Sequence, residues 1–262
     1  MPYIKSLHIN TIKTKPFPFN VPAIKFAKHL DLSNKINFII GDNGTGKSTL
    51  IESIAFRLQL PHIDGSEYSK ASFQAAIKLA SFLELKFNLD RPIGFFFRAE
   101  DFGDYMNSID RRDEVLNKQL NELDGEVPEQ IIKEMRENAN YQIYHMRLNY
   151  GQELTNMSHG EAYMQIIQEK IKGKGIYILD EPEAALSPAK QLSLIYQIQE
   201  HLKVTQSQFI IATHSPILMS MPNATIYEIS EEAMIETALE DTEHYSITKN
   251  FLNNPEMFLR HL

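Results

Sequence analysis

Gly41-Asp42-Asn43-Gly44-Thr45-Gly46-Lys47-Ser48 follows the apolar run Asn37-Phe38-Ile39-Ile40, and this stretch decides the fold. The octet satisfies G-x-x-x-x-G-K-[ST], the spacing of a loop that cradles nucleotide phosphates. Its setting is strand, loop, helix: a β-type run enters, and Leu50, Ile51, Ile54, Ala55 and Leu58 then recur on one helical face. The glycines let backbone N–H groups turn inward around the β- and γ-phosphates, where a Cβ would restrict the backbone. Lys47 would neutralise phosphate charge, Ser48 would ligate Mg²⁺, and the helix would point its positive end at the anion. Asp42, Asn43, Gly44, Thr45, Gly46, Lys47, Ser48 and Thr49 are therefore the expected nucleotide-binding set.

With 262 residues, 43% hydrophobic and 23% charged, the chain can build one large or two small domains around a real core. No apolar run approaches the ~20 residues that span a bilayer. The start, Met1-Pro2-Tyr3-Ile4-Lys5, lacks the apolar centre of a signal peptide, so a cytoplasmic location is expected. The absence of cysteine excludes disulfides, thiolate metal sites and a cysteine nucleophile. A net charge of −8 argues against indiscriminate nucleic-acid binding over the whole surface. The charge is uneven: residues 1–35 hold six lysines against Asp31 alone, and residues 231–243 hold six acids and no lysine or arginine. The lysines read as solvated strand-edge charges before they read as a binding patch.

Along the chain, residues 3–10 alternate as a strand does, with Tyr3, Lys5 and Leu7 on one face. Pro16, Pro18 and Pro22 cut the next stretch into short extended pieces, a small antiparallel sheet leading into the loop's strand. Phe17, Phe19 and Phe26 are candidates to stack on adenine, although a core role suits each of them as well. Residues 71–88 read as a helix, with Phe73, Ala76, Ile77, Ala80 and Leu83 in register, and Pro92-Ile93-Gly94-Phe95-Phe96-Phe97 reads as a buried strand. Residues 105–150 have the mixed charge of a solvated helical lobe.

Two more buried strands end in chemistry. Ile176–Leu179 runs into Asp180-Glu181, where Asp180 can hold Mg²⁺ and Glu181 can polarise the attacking water. Gln208–Ala212 runs into Thr213-His214, which places His214 where ligands gather in open α/β sheets. Between them Ser187-Pro188 opens an amphipathic helix carrying Leu192, Ile195, Ile198 and Leu202. Glu181, His214 and Lys47 are the expected catalytic groups; Ser48 and Asp180 are the expected metal ligands.

These motifs, in this order, resemble the ABC-type ATPases: the phosphate loop, then Ser158-His159-Gly160-Glu161 as signature, the acid pair, the turn Ala184–Ser187, and His214 as switch histidine. Over nearly its full length, through GFFFRAEDF (94–102), MSHGEAY (157–163), LDEPEAALSP (179–188), FIIATHSPIL (209–218) and the tail from Thr242, the chain is similar to small stand-alone bacterial ATPases of this type. The resemblance implies ATP and Mg²⁺ as ligands. It also implies a dimer closed head to tail, with Ser158, His159, Gly160 and Glu161 of one chain meeting the nucleotide on the other. The expected architecture is α/β: a mixed central sheet, an N-terminal antiparallel subdomain and a helical lobe. The expected divisions are 1–60, 61–160 and 161–262 of a single ATPase domain.

The chain departs from the family pattern at three points. The signature ends in Glu161, as in the chromosome-maintenance and DNA-repair branch, with His159 replacing a glycine. Ser187 stands where aspartate is usual. Arg98 stands where a glutamine is expected, with Glu100 two residues on. The favoured reading is an ATPase whose dimerisation drives work on nucleic acid or a protein partner; the span from Ser48 to Ser158 leaves no room for long coiled-coil arms. The alternatives are the energy subunit of a membrane transporter and a non-catalytic ATP-gated module. A last helix from Asn254-Pro255 is expected to dock Phe258, Leu259 and Leu262 on the body.

Overall fold

Strand β3 (Ile36–Gly41) is buried along its whole length, which places it inside a sheet with neighbours on both edges. The computed structural model describes residues 3–10, 16–62, 73–87, 93–105, 133 and 159–260. These fall into two units, Met1–Ala99 with Ile171–Leu262, and Glu100–Lys170. Of the lobe expected over 105–150, only residues 105 and 133 are among the described residues, and Ser158 lies outside them.

The first unit holds a six-stranded sheet in the order β5-β6-β7-β3-β8-β9. Its strands are β5 (Gly94–Arg98), β6 (Ile176–Asp180), β7 (Gln208–Ala212), β3, β8 (Thr225–Ile229) and β9 (Met234–Thr237). All neighbours run parallel except the β8–β9 pair. The continuous apolar runs of β3, β6 and β7 fit strands covered on both faces, and all three are fully buried. Because they are parallel, Gly41, Asp180 and Ala212 all reach the same edge of the sheet.

A second, antiparallel sheet of order β2-β1-β4 joins β1 (Ile4–Ile9), β2 (His29–Asp31) and β4 (Leu83–Phe87). Here two expectations are corrected. The helix expected over 71–88 is shorter: α3 covers Gln74–Ala80, and Leu83–Phe87 pairs with β1 as a strand. In β1 the register shifts between Ile4 and Ser6, so Ile4, Leu7 and Ile9 are buried and Lys5 is exposed, which breaks the strict alternation of Tyr3, Lys5 and Leu7.

Gln208 fastens the two sheets together. Its side-chain carbonyl accepts from the Ile4 amide at 2.8 Å, and its side-chain amide donates to the carbonyls of Ile4 (3.0 Å), Leu32 and Asn34 (3.1 Å). An amide fully out of water and bonded on both of its ends fixes β1 against the start of β7.

Helix α2 (Lys47–Leu58) buries Leu50, Ile51, Ile54, Ala55 and Leu58, the stripe expected from the sequence. It ends at Gln59, which takes the left-handed conformation with φ 54°. Beyond α1 (Pro22–Phe26) and the helix of the second unit, α4 (His159–Lys170), comes α5 (Pro188–Val204). Ser187 is its N-cap, accepting from the Lys190 amide, and Pro188 occupies the first turn. The buried stripe of α5 is Gln191, Leu194 and Ile198, while Leu192 is 59% exposed, so the expected register is rotated. The cause is polar: Gln191 donates to the Leu186 carbonyl at 3.1 Å and accepts from the Ser215 hydroxyl, which turns that face inward.

After α6 (Pro216–Met219), the chain ends in α7 (Glu243–Asn253) and α8 (Pro255–Leu259). Asn254 caps α8 as expected, but neither helix has a buried residue and Leu259 is 55% exposed. Phe258 meets Phe251 edge-on at 5.8 Å instead of docking on the body, and Leu262 lies outside the described residues. In the second unit, described by itself, Phe102 packs edge-on against Tyr163 of α4 at 5.0 Å.

Candidate functional site

The loop 41–48 is built by backbone geometry that only glycine adopts cheaply. Gly41 has φ 143°, and a Cβ there would lie 2.4 Å from the Ile229 carbonyl oxygen on β8. Gly46 has φ 94°, and its Cβ would lie 2.5 Å from Val21 Cγ2. Gly46 is also the N-cap of α2, so no side chain takes up the free N–H groups of the first turn. The Asp42 carbonyl gathers the Thr45 amide (3.3 Å), the Thr45 hydroxyl (2.8 Å) and Lys47 Nζ (2.9 Å), and the Thr45 carbonyl accepts from the Ala23 amide at 2.8 Å. Asp42, Asn43 and Gly44 are exposed, and Ser48 and Thr49 are half-buried at the start of the helix.

Lys47 is only 4% exposed; its ammonium donates to the Gly41 and Asp42 carbonyls, at 2.7 and 2.9 Å. Burial lowers the tendency of this ammonium to hold its proton, while the charges of Glu181, Asp180, Asp42 and Glu183, in that order, oppose the loss. The acids at the end of β6 are thus the electrostatic neighbours of the loop lysine. Asp180 is buried at the last position of β6, aligned with Arg98 on one side and Ala212 on the other. Glu181 follows with φ 49°, a left-handed conformation that costs a non-glycine residue about 1–2 kcal/mol. Its amide still donates to the Ala212 carbonyl at 2.9 Å and its carbonyl accepts from Ala184 at 3.0 Å, which swings the carboxylate off the strand direction.

His214 leaves β7 beside it, with Nε2 3.6 Å from Glu181 Oε1. Burial, together with the nearby Lys47 and His244, lowers the tendency of the His214 imidazole to take up a proton, against the pull of Glu181 and Asp42. Two residues that sequence reasoning did not assign position it. The His214 amide donates to Glu183 Oε1 at 2.6 Å, and His214 Nδ1 lies 2.9 Å from His244 Nε2. Burial raises the Glu183 carboxyl above the usual carboxylate range, offset in part by the His214 amide and the Thr213 hydroxyl. These partners are 31 and 30 positions away in the chain, and only the fold brings them together.

Of the two candidates near the expected glutamine, Arg98 has a charged partner on α2. Its guanidinium donates to Glu52 Oε1 of α2 at 2.9 Å and stacks on Phe73 at 4.5 Å, with both charged side chains buried. Replacing Glu52 by alanine removes a buried partner of this cation, and an expected loss of about 3–5 kcal/mol in folding stability should appear as a lower urea midpoint. Glu100 is exposed in the second unit. Gly160 is half-buried and Glu161 exposed in the first turn of α4, and His159 opens that helix. Among the adenine candidates, Phe17 is 57% exposed, Phe26 is half-buried beneath Lys25, and Phe19 packs edge-on against Phe82 at 5.0 Å.

The chemistry of the residues present fits the expected ligands. An uncapped helix start, a desolvated ammonium and a glycine-lined turn suit an anionic phosphate chain. The Ser48 hydroxyl and Asp180 carboxylate form an all-oxygen donor pair of the hard kind Mg²⁺ takes. A cavity of about 850 Å³ opens along Gly41–Thr45 and reaches Ile229, Ile235 and Ile247, large enough for a nucleotide.

Residues 97–220 match the family described as "AAA domain, putative AbiEii toxin, Type IV TA system", somewhat less than half of the chain. No curated protein matches it. The fold is similar to an SMC head bound to the C-winged helix domain of ScpA, with TM-score 0.50 and 15% identity over 91% of this chain and 99% of that one. An SMC head with an extended coiled coil from Pyrococcus furiosus, bound to the C-terminal domain of ScpA, gives 0.48 and 14% over 96% and 100%. A "putative metal-chelate type ABC transporter" in an inward-facing conformation gives 0.48 and 17% over 95% and 88%. The chain thus has the mixed α/β fold of the SMC head bound to the C-winged helix domain.

Proposed function

We propose that this ABC-type P-loop ATPase binds ATP with Mg²⁺ at Gly41–Ser48, hydrolyses it with Glu181 and His214, and closes as a head-to-tail dimer around two nucleotides. The observation that carries the reading is convergence: Lys47, Asp180, Glu181 and His214 come from three parallel strands and meet at one edge of the sheet, with His214 Nε2 3.6 Å from Glu181. In this arrangement the α2 amides and Lys47 hold the phosphate chain, and the Glu181 carboxylate accepts a hydrogen bond from the attacking water. His214 Nε2 faces the charge that develops on the transferred phosphoryl group. Mg²⁺, held by Ser48 and Asp180, would supply charge neutralisation at the β- and γ-oxygens.

Dimerisation rests on the signature residues 158–161, which imply that each phosphate loop is half of a site. Ser158→Arg is expected to leave ATP affinity of the single chain intact while phosphate release falls about a hundredfold, since only the closed state loses its contact. Calorimetry and a phosphate-release assay check both halves, and loss of nucleotide binding would mark Ser158 as structural. The client is a nucleic acid or a protein, with a membrane transporter subunit as the second reading. Trapping the Glu181→Gln chain on its partner in cells separates them, because a slow-hydrolysing dimer stays closed on whatever it holds.

A further inference from the structure

We propose that His244 is a positioning residue for His214: its Nε2–H donates to His214 Nδ1 and fixes the His214 proton on Nε2, the nitrogen that faces Glu181. The inference rests on the ATPase reading of His214 given above and adds the device that sets its tautomer. The two rings lie with centroids 5.0 Å apart, and His214 Nδ1 is 2.9 Å from His244 Nε2. One nitrogen of this pair must carry the proton and the other must be bare.

The two outer nitrogens decide which. Among the described residues His214 Nε2 and His244 Nδ1 are both closed off from solvent without a hydrogen-bond partner, so one of them must shut away an N–H. His214 Nε2 has the Glu181 carboxylate 3.6 Å away to face that N–H and His244 Nδ1 has no such neighbour among the described residues, so the N–H costs less on His214 and the bare lone pair falls to His244. The His244 proton therefore sits on Nε2, which makes His244 the donor and His214 Nδ1 the acceptor. A neutral His214 whose Nδ1 accepts carries its own proton on Nε2. The nitrogen that carries it lies 3.6 Å from Glu181 Oε1, on the side where a transferred phosphoryl oxygen would need a donor. Burial, which disfavours the charged ring, makes the tautomer of the neutral one matter.

The main sheet, not the exposed tail, holds His244 in place. Thr242 is fully buried, accepts from the Tyr245 amide at 3.4 Å and donates to the Leu239 carbonyl at 2.8 Å. The Glu243 amide donates to Glu228 Oε1 on β8 at 3.1 Å. The first turn of α7 is thus tied to the sheet, although the rest of that helix buries nothing.

Nitrogen-15 NMR of the full chain with labelled histidine reads the tautomer directly. In the wild type, His214 should show a bare Nδ1 and a protonated Nε2. In His244→Phe the His214 tautomers should mix and kcat should fall about ten- to a hundredfold, the range over which outer partners of functional histidines act, with ATP affinity unchanged. His244→Gln, which keeps an N–H donor, should recover much of both signals. A wild-type His214 protonated on Nδ1 overturns the proposal, as does a His244→Phe chain with unaltered tautomer and kcat. If His244→Phe does not fold, the wild-type spectrum and His244→Gln decide. A wild type that binds ATP without turning it over removes the ATPase reading, while the tautomer still settles the role of His244.

Discussion

Replacing Lys47 by alanine should weaken ATP binding, which isothermal titration calorimetry would register as a loss of about a hundredfold or more in affinity, about 2.8 kcal/mol. The ammonium is already stripped of water and bonded only to the Gly41 and Asp42 carbonyls, so it loses little solvation when a phosphate takes their place. The loop does not depend on it for shape. The Asp42 carbonyl keeps the Thr45 amide and hydroxyl, and Gly46 keeps its turn, so the variant should fold with an unchanged thermal midpoint. Affinity retained in Lys47→Ala would remove Gly41–Ser48 as the phosphate site.

The second large effect belongs to Glu181→Gln. The substitution preserves shape and the left-handed backbone at φ 49°, which is held by the bonds of its amide to Ala212 and its carbonyl to Ala184. What it removes is the negative charge that accepts from water and faces His214 at 3.6 Å. Turnover should fall about 10²–10⁴-fold, the worth of a positioned general base, while ATP affinity stays the same. Single-turnover kinetics checks this, and a fall of less than tenfold would move the base elsewhere.

Features that are local in the chain were legible before the fold was known. The loop octet, the α2 stripe, and the apolar strands β3, β6 and β7 with their terminal Asp180 and His214 are each short patterns whose meaning does not depend on distant residues. The Ser187 cap was legible for the same reason. Leu83 misled because it sits in helical register with Ala76 and Ala80, yet pairing with β1 outweighs that periodicity and makes Leu83–Phe87 a strand. Leu192 misled because a polar side chain, Gln191, claims the inward face through two hydrogen bonds that no hydrophobic pattern records.

Long-range contacts were the larger omission. Arg98 stands at the end of β5 beside Asp180, but its charge is satisfied by Glu52, 46 residues earlier. Glu183 is quoted within the acid-pair motif without any sign that it holds the His214 amide. His244 lies 30 positions beyond His214, and only the fold sets its ring against that residue. The tail expectation failed in the opposite way: Phe258 and Leu259 are apolar, but α8, the short helix that carries both, has no buried residue.

The account turns on the claim that each phosphate loop is completed by a second copy of the chain. Multi-angle light scattering of the Glu181→Gln chain, with and without Mg²⁺ and ATP, tests it most directly. A molar mass that doubles on adding nucleotide is the predicted result; a single-chain mass under both conditions, at a concentration where calorimetry shows ATP bound, would contradict it.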